Sequence, residues 1–357
     1  MHARTNVSFA ILFTAASWAP SLAHAQPRET EGVETSSVPV NIGFVPYVDV
    51  NSHFAMPENH MTLDVLVGST FGLEGLGIAG LAGLAWGDAR GLQIGGVSSY
   101  AGGDLVGAQI GSVVGIVGGT ATGIQVAGVA NVAGAFTGAQ IGGVVNVAPD
   151  GGAGVQVAGA VNVAGDLAGA QIGIVNVGGH VRGAQIGIVN VAEEVDGATV
   201  GLVNVVLKNG RHGFDVATSG TAALSFGAKL GTRYVYSVLG MGLQLVEGRS
   251  YWMPTAGLGG SIPILEDGFV NIELLASATN EGSEFDRESV LGQLRVVGGY
   301  RVTEGIALYA GPVLVSYRSA SGKRLSDISY VPTLATSQRG GTTQDLGLGY
   351  VVGVELL

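Results

Sequence analysis

Histidine and carboxylate side chains are the usual metal ligands and proton carriers, and here they are sparse and scattered. His53, Glu58 and His60 fall in one polar stretch with Pro57, but no further ligand follows at metal-binding spacing. A solvated loop is the expectation. Glu193 and Glu194 are adjacent, so on a strand they point opposite ways and cannot serve one substrate as acid and base; a solvated turn is expected there. His180 and His212 stand alone among glycines and read as turn residues.

Two glycine motifs invite the same scrutiny. Gly75-Leu76-Gly77-Ile78-Ala79-Gly80 has G-x-G-x-x-G spacing, but a chain with 62 glycines throws up such matches by chance. It also lacks the strand–turn–helix setting that gives the motif its meaning. Gly151-Gly152-Ala153-Gly154-Val155-Gln156 approaches a calcium-binding repeat, with Gln in place of the essential Asp. No G-x-S-x-G elbow occurs, and cysteine is absent. The reading is of a protein with no catalytic, cofactor-binding or metal-ligating residues and no enzyme activity.

What organises the chain instead is a repeat between Gly91 and Leu207, clearest as Gly183-Ala184-Gln185-Ile186-Gly187-Ile188-Val189-Asn190-Val191-Ala192. Gln recurs at 93, 109, 125, 140, 156, 171 and 185, and Thr199 holds the eighth slot, in steps of 14 to 16 residues. Glycine at this density disfavours helix, and Val and Ile favour strand. Each unit is therefore expected to supply one strand and a turn.

Strict alternation from Ala139 puts Gln140, Gly142, Val144 and Asn146 on one side and Ile141, Val145 and Val147 on the other. In the last three units the Gln-to-Asn gap shrinks from six residues to five, which calls for a bend or bulge within the strand.

Such units can stack as the coils of a β-solenoid or stand as successive strands of a membrane barrel. A solenoid explains a one-strand repeat better. Gly91–Ala192 also holds only Asp104, Asp150, Asp166 and Arg182 as charges, and Tyr100 and Phe136 as aromatics, too few for a wet lumen or an aromatic girdle. If coils stack, Val145 and Ile186 are expected in the packed interior, with Gln156 facing solvent.

Residues 1–25 read as a secretory signal peptide. Arg4 precedes an apolar run from Phe9 to Trp18, and Ala23-His24-Ala25 offers a small-x-small cleavage site. Cleavage there removes one of 16 basic residues and none of 27 acidic ones, leaving a formal charge of −12. An acidic exported chain is a poor partner for nucleic acid. No cysteine is available for disulfides or for a lipid anchor at the cleavage site. No stretch after it is long and apolar enough for a spanning helix, so any membrane crossing is by strands.

The remaining segments follow in order. Residues 26–38 form a polar lead-in, 39–90 carry N-terminal strands, 91–207 the repeats, and 208–357 longer amphipathic strands. Seven of these fall at about 222–232, 235–246, 252–264, 269–280, 289–301, 305–318 and 344–357. Their connections alternate between short turns and longer polar loops, as in outer-membrane barrels. Val40–Asn51 is a candidate eighth strand. Lys229, Glu273, Arg295 and Glu355 are the candidate charged residues of a lumen, on small-or-polar strand faces.

The repeat GAQIGIVNVA, the strand VNIGFVPYVDVN and the run LVNVVLKNGRHGFDVATSG resemble a family of uncharacterised bacterial surface repeat-containing proteins. The resemblance implies a place in the bacterial envelope and brings no substrate, cofactor or catalytic residue with it. The expectation is thus an all-β, non-enzymatic protein of the outer membrane or cell surface. Its partners are outer-membrane lipid and other envelope components, and a porin is the alternative.

Overall fold

The computed structural model describes residues 37–46, 48–49, 58–264, 266–283 and 288–357. The signal-peptide reading, nearly all of the lead-in, and His53 with Pro57 lie outside them. The chain divides into two compact units after Gly165. It is almost wholly β: a parallel β-solenoid of about ten turns and a closed eight-stranded antiparallel barrel.

Each coil has two strands rather than the expected one. A long strand such as Leu105–Gly111 or Ala121 to Ala127 is followed by a two-residue corner and a short strand of about four residues. Coils begin before the first Gln-bearing repeat: Glu58–Asp64 with Val67–Thr70 makes one, and Leu73–Ala79 with Ala82–Ala85 the next. Ser37–Val45 lies parallel against Glu58–Asp64, so the described residues of Val40–Asn51 belong to the solenoid sheet and not to the barrel. Successive coils stack in register, Gln125 on Gln140 and Asn131 on Asn146.

The corner changes which residues face inward. Gln140, Gly142 and Asn146 are buried, but Val144 sits on the corner and is exposed. The shorter repeats lose their residue at this corner, where Leu167–Ile172 stops one position earlier than Ala130–Gly142 does. A bend rather than a bulge thus absorbs the lost residue, and Gln171 and Asn176 stay fully buried. A glycine two residues before each Gln adopts positive φ, 121° at Gly123, and a Cβ there would collide with the carbonyl oxygen of Gly107. Stacking at that point leaves room for glycine alone.

The polarity is the reverse of the expectation. Gln156 is fully buried, Ile186 is 44% exposed, and Val145 is half-exposed. The interior holds a column of Gln, a column of Asn, a column of Ala (Ala133, Ala148, Ala164) and scattered larger residues such as Leu105 and Phe136. Parallel in-register stacking explains this. A buried amide meets an identical amide one coil away, and so finds a donor or acceptor without any other chemistry.

In the second unit, the barrel strands are Arg211–Ser219, Leu224–Gly231, Val235–Val246, Arg249–Pro263, Gly268–Ala278, Ser289–Thr303, Ile306–Ser319 and Thr342–Leu356. Arg211–Ser219 pairs with Thr342–Leu356 and closes the ring. The eighth strand is therefore Arg211–Ser219.

Side chains alternate across this wall. Leu274, Leu348, Val352, Leu308 and Phe226 point outward and are exposed, while small, aromatic and polar residues fill the lumen together with aliphatic ones such as Leu291 and Val315. Inward rings face inward glycines on the neighbouring strand: Tyr236 opposite Gly259, Phe269 opposite Gly299, Tyr309 opposite Gly353. A Cβ on any of these three glycines would meet the ring, so glycine is what lets the rings lie across a narrow lumen.

Candidate functional site

The barrel lumen gathers the densest chemistry among the described residues. Alternation sends Arg211 and Asp215, Lys229, Glu273, Arg295 and Glu355 inward from five different strands. The Lys229 Nζ lies 3.0 Å from Glu273 Oε1 and 3.3 Å from Glu355 Oε2. Arg211 clamps Glu355 through two nitrogens, at 2.6 and 2.8 Å from Nη2 and 2.9 Å from Nε. Arg295 Nη1 stands 3.9 Å from Glu273 Oε2.

Aromatic hydroxyls complete the cluster. Tyr236 donates to Glu273 at 2.9 Å, and Tyr309 donates to Asp215 at 2.7 Å. The Arg211 guanidinium also lies over the Tyr236 ring at 4.3 Å, and the Lys229 ammonium faces the Tyr309 ring at 4.7 Å. Three cations thus meet three anions. Burying such charges is tolerable only when each is paired and hydrogen-bonded, and most of these are held by two or more partners.

The other end of the lumen is closed differently. The connection between Ser319 and Thr342 folds back, and its short helix Leu325–Ile328 presents fully buried Leu325 and Ile328, with Val331 beyond. These join an apolar cluster with Tyr317, Met253 and Leu291 inside the barrel. Asp345, wholly buried, holds the segment down. It accepts the Leu325 backbone N–H at 2.8 Å, the Thr336 hydroxyl at 2.6 Å and Arg324 Nε at 3.1 Å. Gly347 and Gly349 lie where Val331 packs, and a side chain at Gly347 would strike both Leu325 and Val331.

All four charged residues expected in a lumen are there, brought together as partners rather than spread along a wet channel. Arg211, Asp215, Tyr236 and Tyr309 complete the cluster and were not expected. The alternation Arg211, Gly213, Asp215, Ala217, Ser219 carries that signal for the first two. It is masked because His212 and Thr218 make the outward face partly polar as well. Glu273 and Glu355 are taken up by cations and hydroxyls at close range, whereas Asp215 accepts from Tyr309 through Oδ2 and its buried Oδ1 has no hydrogen-bond partner among the described residues.

The remaining candidates fall apart on inspection of their places. Gly75 belongs to the positive-φ glycine column, and Gly80 to a coil corner. Gln156, at the Asp slot of the calcium-like motif, points inward and donates to Gln140 Oε1 at 2.8 Å. His60 faces Glu74 at 3.5 Å on the surface. His212 is an exposed outward residue of a barrel strand.

His180 and Glu194 lie within strands Val175–Ile186 and Val189–Val200, in register with each other, and not in turns. With Asp196, whose Oδ2 is 2.8 Å from His180 Nε2, they place three ligand-type atoms within 4.8 Å. A hydrogen bond between His180 and Asp196 on the coil surface accounts for the closest of these approaches.

No family model matches the chain, and neither a curated protein nor a solved structure resembles it closely enough to match.

Proposed function

We propose that this is a non-enzymatic outer-membrane protein, exported by residues 1–25, in which the C-terminal barrel is a membrane anchor and the solenoid a structural or interaction element of the cell envelope. The observation that carries this reading is the radial inversion of the barrel. Leu, Val, Ile, Phe and Tyr cover its outward face, while five charged side chains form ion pairs within. Hydrocarbon rewards that distribution and water does not. Strands of eight to fifteen residues suit a tilted span. The partners of this reading are outer-membrane lipid and other envelope components, with no nucleic acid and no cofactor.

The alternative is a porin. Eight strands enclose a lumen that side chains fill, and here an ion-pair cluster fills one part and the Leu325–Val331 segment another. Planar-bilayer recording on the purified protein separates the two readings. A closed anchor gives a silent bilayer, whereas stable, reproducible conductance steps establish a pore. Recovery of the mature protein in the soluble periplasm after carbonate washing would count against both.

A further inference from the structure

The coils of the first unit hide their polar side chains and display their apolar ones. Within them, Leu105–Pro149 contains no charged residue at all. Three surfaces of this stack are apolar at once. Ile124 and Ile141 stand out from the long-strand face, 49% and 44% exposed, and Val129 and Val144 from the corner, 43% and 42% exposed. Val132 and Val147 stand half-exposed on the short-strand face. Beside this stretch charge gathers on the opposite corner, and in this unit only the earlier coils carry it on the long strand, as at Glu74 and Arg90. At that corner Asp88 and Asp104 accept backbone N–H groups from the next coil, at 3.0 Å from Asp104 and 2.7 Å from Thr120.

From this we infer that the coils of residues 105–149 are immersed edge-on in the hydrocarbon of a lipid bilayer, with the Val corner inward and the Asp corner at the headgroups. A second copy of the chain, or a protein partner, would cover one flat face and leave the other face and the corner wet. Only a fluid apolar phase covers all three together.

The backbone meets the condition for such immersion. Coil-to-coil hydrogen bonds continue through the corner itself, as in Val129 N–H to Val113 O at 2.9 Å and Val144 N–H to Val129 O at 3.0 Å. The buried amides are likewise paired, Gln125 to Gln109 at 3.0 Å and Asn146 to Asn162 at 2.9 Å. The dimension also fits. A seven-residue long strand spans roughly 23 Å, which is shorter than the ~30 Å hydrocarbon core and leaves the charged corner at its boundary.

The inference goes beyond the barrel anchor and is tested separately from it. Because the chain has no cysteine, single substitutions give unique labelling sites. The full-length protein carrying Val129→Cys, Val144→Cys, Asp150→Cys or Leu274→Cys is labelled with an environment-sensitive fluorophore and reconstituted into phosphatidylethanolamine/phosphatidylglycerol vesicles. Aqueous iodide and a nitroxide-bearing lipid then serve as quenchers.

At Val129 and Val144, quenching by the lipid nitroxide with iodide quenching several-fold below that at Asp150 is expected. Iodide quenching equal to that at Asp150 overturns the inference, and so does shielding from both quenchers, which marks a protein partner. Leu274 on the barrel wall reports on the anchor alone. Its access to iodide would sink the barrel reading whatever the two corner labels show.

Discussion

The solenoid and the barrel share an inverted polarity, apolar outside and polar within, but they solve the resulting problem of buried polar groups in different ways. The solenoid uses repetition. Within the column a Gln amide donates to the Gln of the preceding coil, as Gln140 does to Gln125 at 2.9 Å, and Gln125 donates also to a short-strand carbonyl, Val132 O at 3.2 Å. Each Asn donates the opposite way, to the following coil, Asn131 to Asn146 at 2.9 Å and Asn190 to Asn204 at 2.7 Å. The two columns of amide dipoles therefore run antiparallel and offset one another.

The barrel uses complementarity, six different charged side chains from five strands meeting at one level. Repetition can be extended indefinitely but must end, and its ends are where it fails. The Gln column stops at Thr199, leaving Gln185 Oε1 and Thr199 Oγ1 without a hydrogen-bond partner among the described residues. The Asn column starts at Asn131 because Gly115 occupies the slot before it, and Asn131 Oδ1 is likewise unmatched. The charge cluster leaves one such atom, Asp215 Oδ1, and removing one of its ion-paired members strands the others.

That contrast sets the order of expected effects. Lys229→Met should be the most damaging single change, costing about 3–5 kcal/mol, because Glu273 and Glu355 both lose their shared cation inside the lumen. Urea unfolding of the refolded barrel in detergent micelles measures it. A loss under about 1 kcal/mol would mean the cluster is hydrated and weakly coupled.

Next comes the ladder. Gln140→Leu removes the donor to Gln125 and the acceptor of Gln156, for about 2–4 kcal/mol at one or more kcal/mol per orphaned group. The neighbouring Ile141→Val, which keeps the exposed face apolar, should shift stability by roughly 0.5 kcal/mol. Denaturation followed by far-UV circular dichroism compares the pair, and a reversed order would return the Gln column to the surface. The smallest effect is a gain. Thr199→Gln would extend the column by one rung, supplying the donor that Gln185 Oε1 lacks, and should stabilise the last coils by roughly 1 kcal/mol. Hydrogen exchange at the amides of Val195–Val200 reads it, and unchanged protection would show that the ladder's end is already satisfied by water.

Residue patterns carried a large part of this architecture, and the failures are instructive. The period of Gln93 through Thr199 and the inward alternation of Lys229, Glu273, Arg295 and Glu355 are local properties of strands, so they are legible without a fold. The direction in which Gln140 and Ile141 point is not. Strict alternation pairs Gln140 with Asn146 on one side whichever side is inside, and hydrophobicity then assigns the interior to Ile and Val. That assignment assumes water outside and a core with no partner for an amide. Stacking in register supplies the partner, and only the stack shows it.

Arg211–Ser219 escaped for a related reason. A strand is recognised by contrast between its faces, and His212 and Thr218 dilute the outward one. Its place in the barrel rests on pairing with Thr342–Leu356, more than a hundred residues away.

By itself the sequence determined that this chain is β, repetitive, without cysteine and poor in charge along its repeats, because composition and spacing set backbone preference directly. It also determined that amides recur in fixed slots. Tertiary structure alone decided that a two-residue corner splits each repeat into two strands, that the amides turn inward, and that three cations and three anions converge on one level of a closed lumen. The physical reason is the same throughout. A polar side chain goes where its hydrogen-bond partner is, and here that partner sits one coil above or several strands away, at a distance the linear chain does not encode.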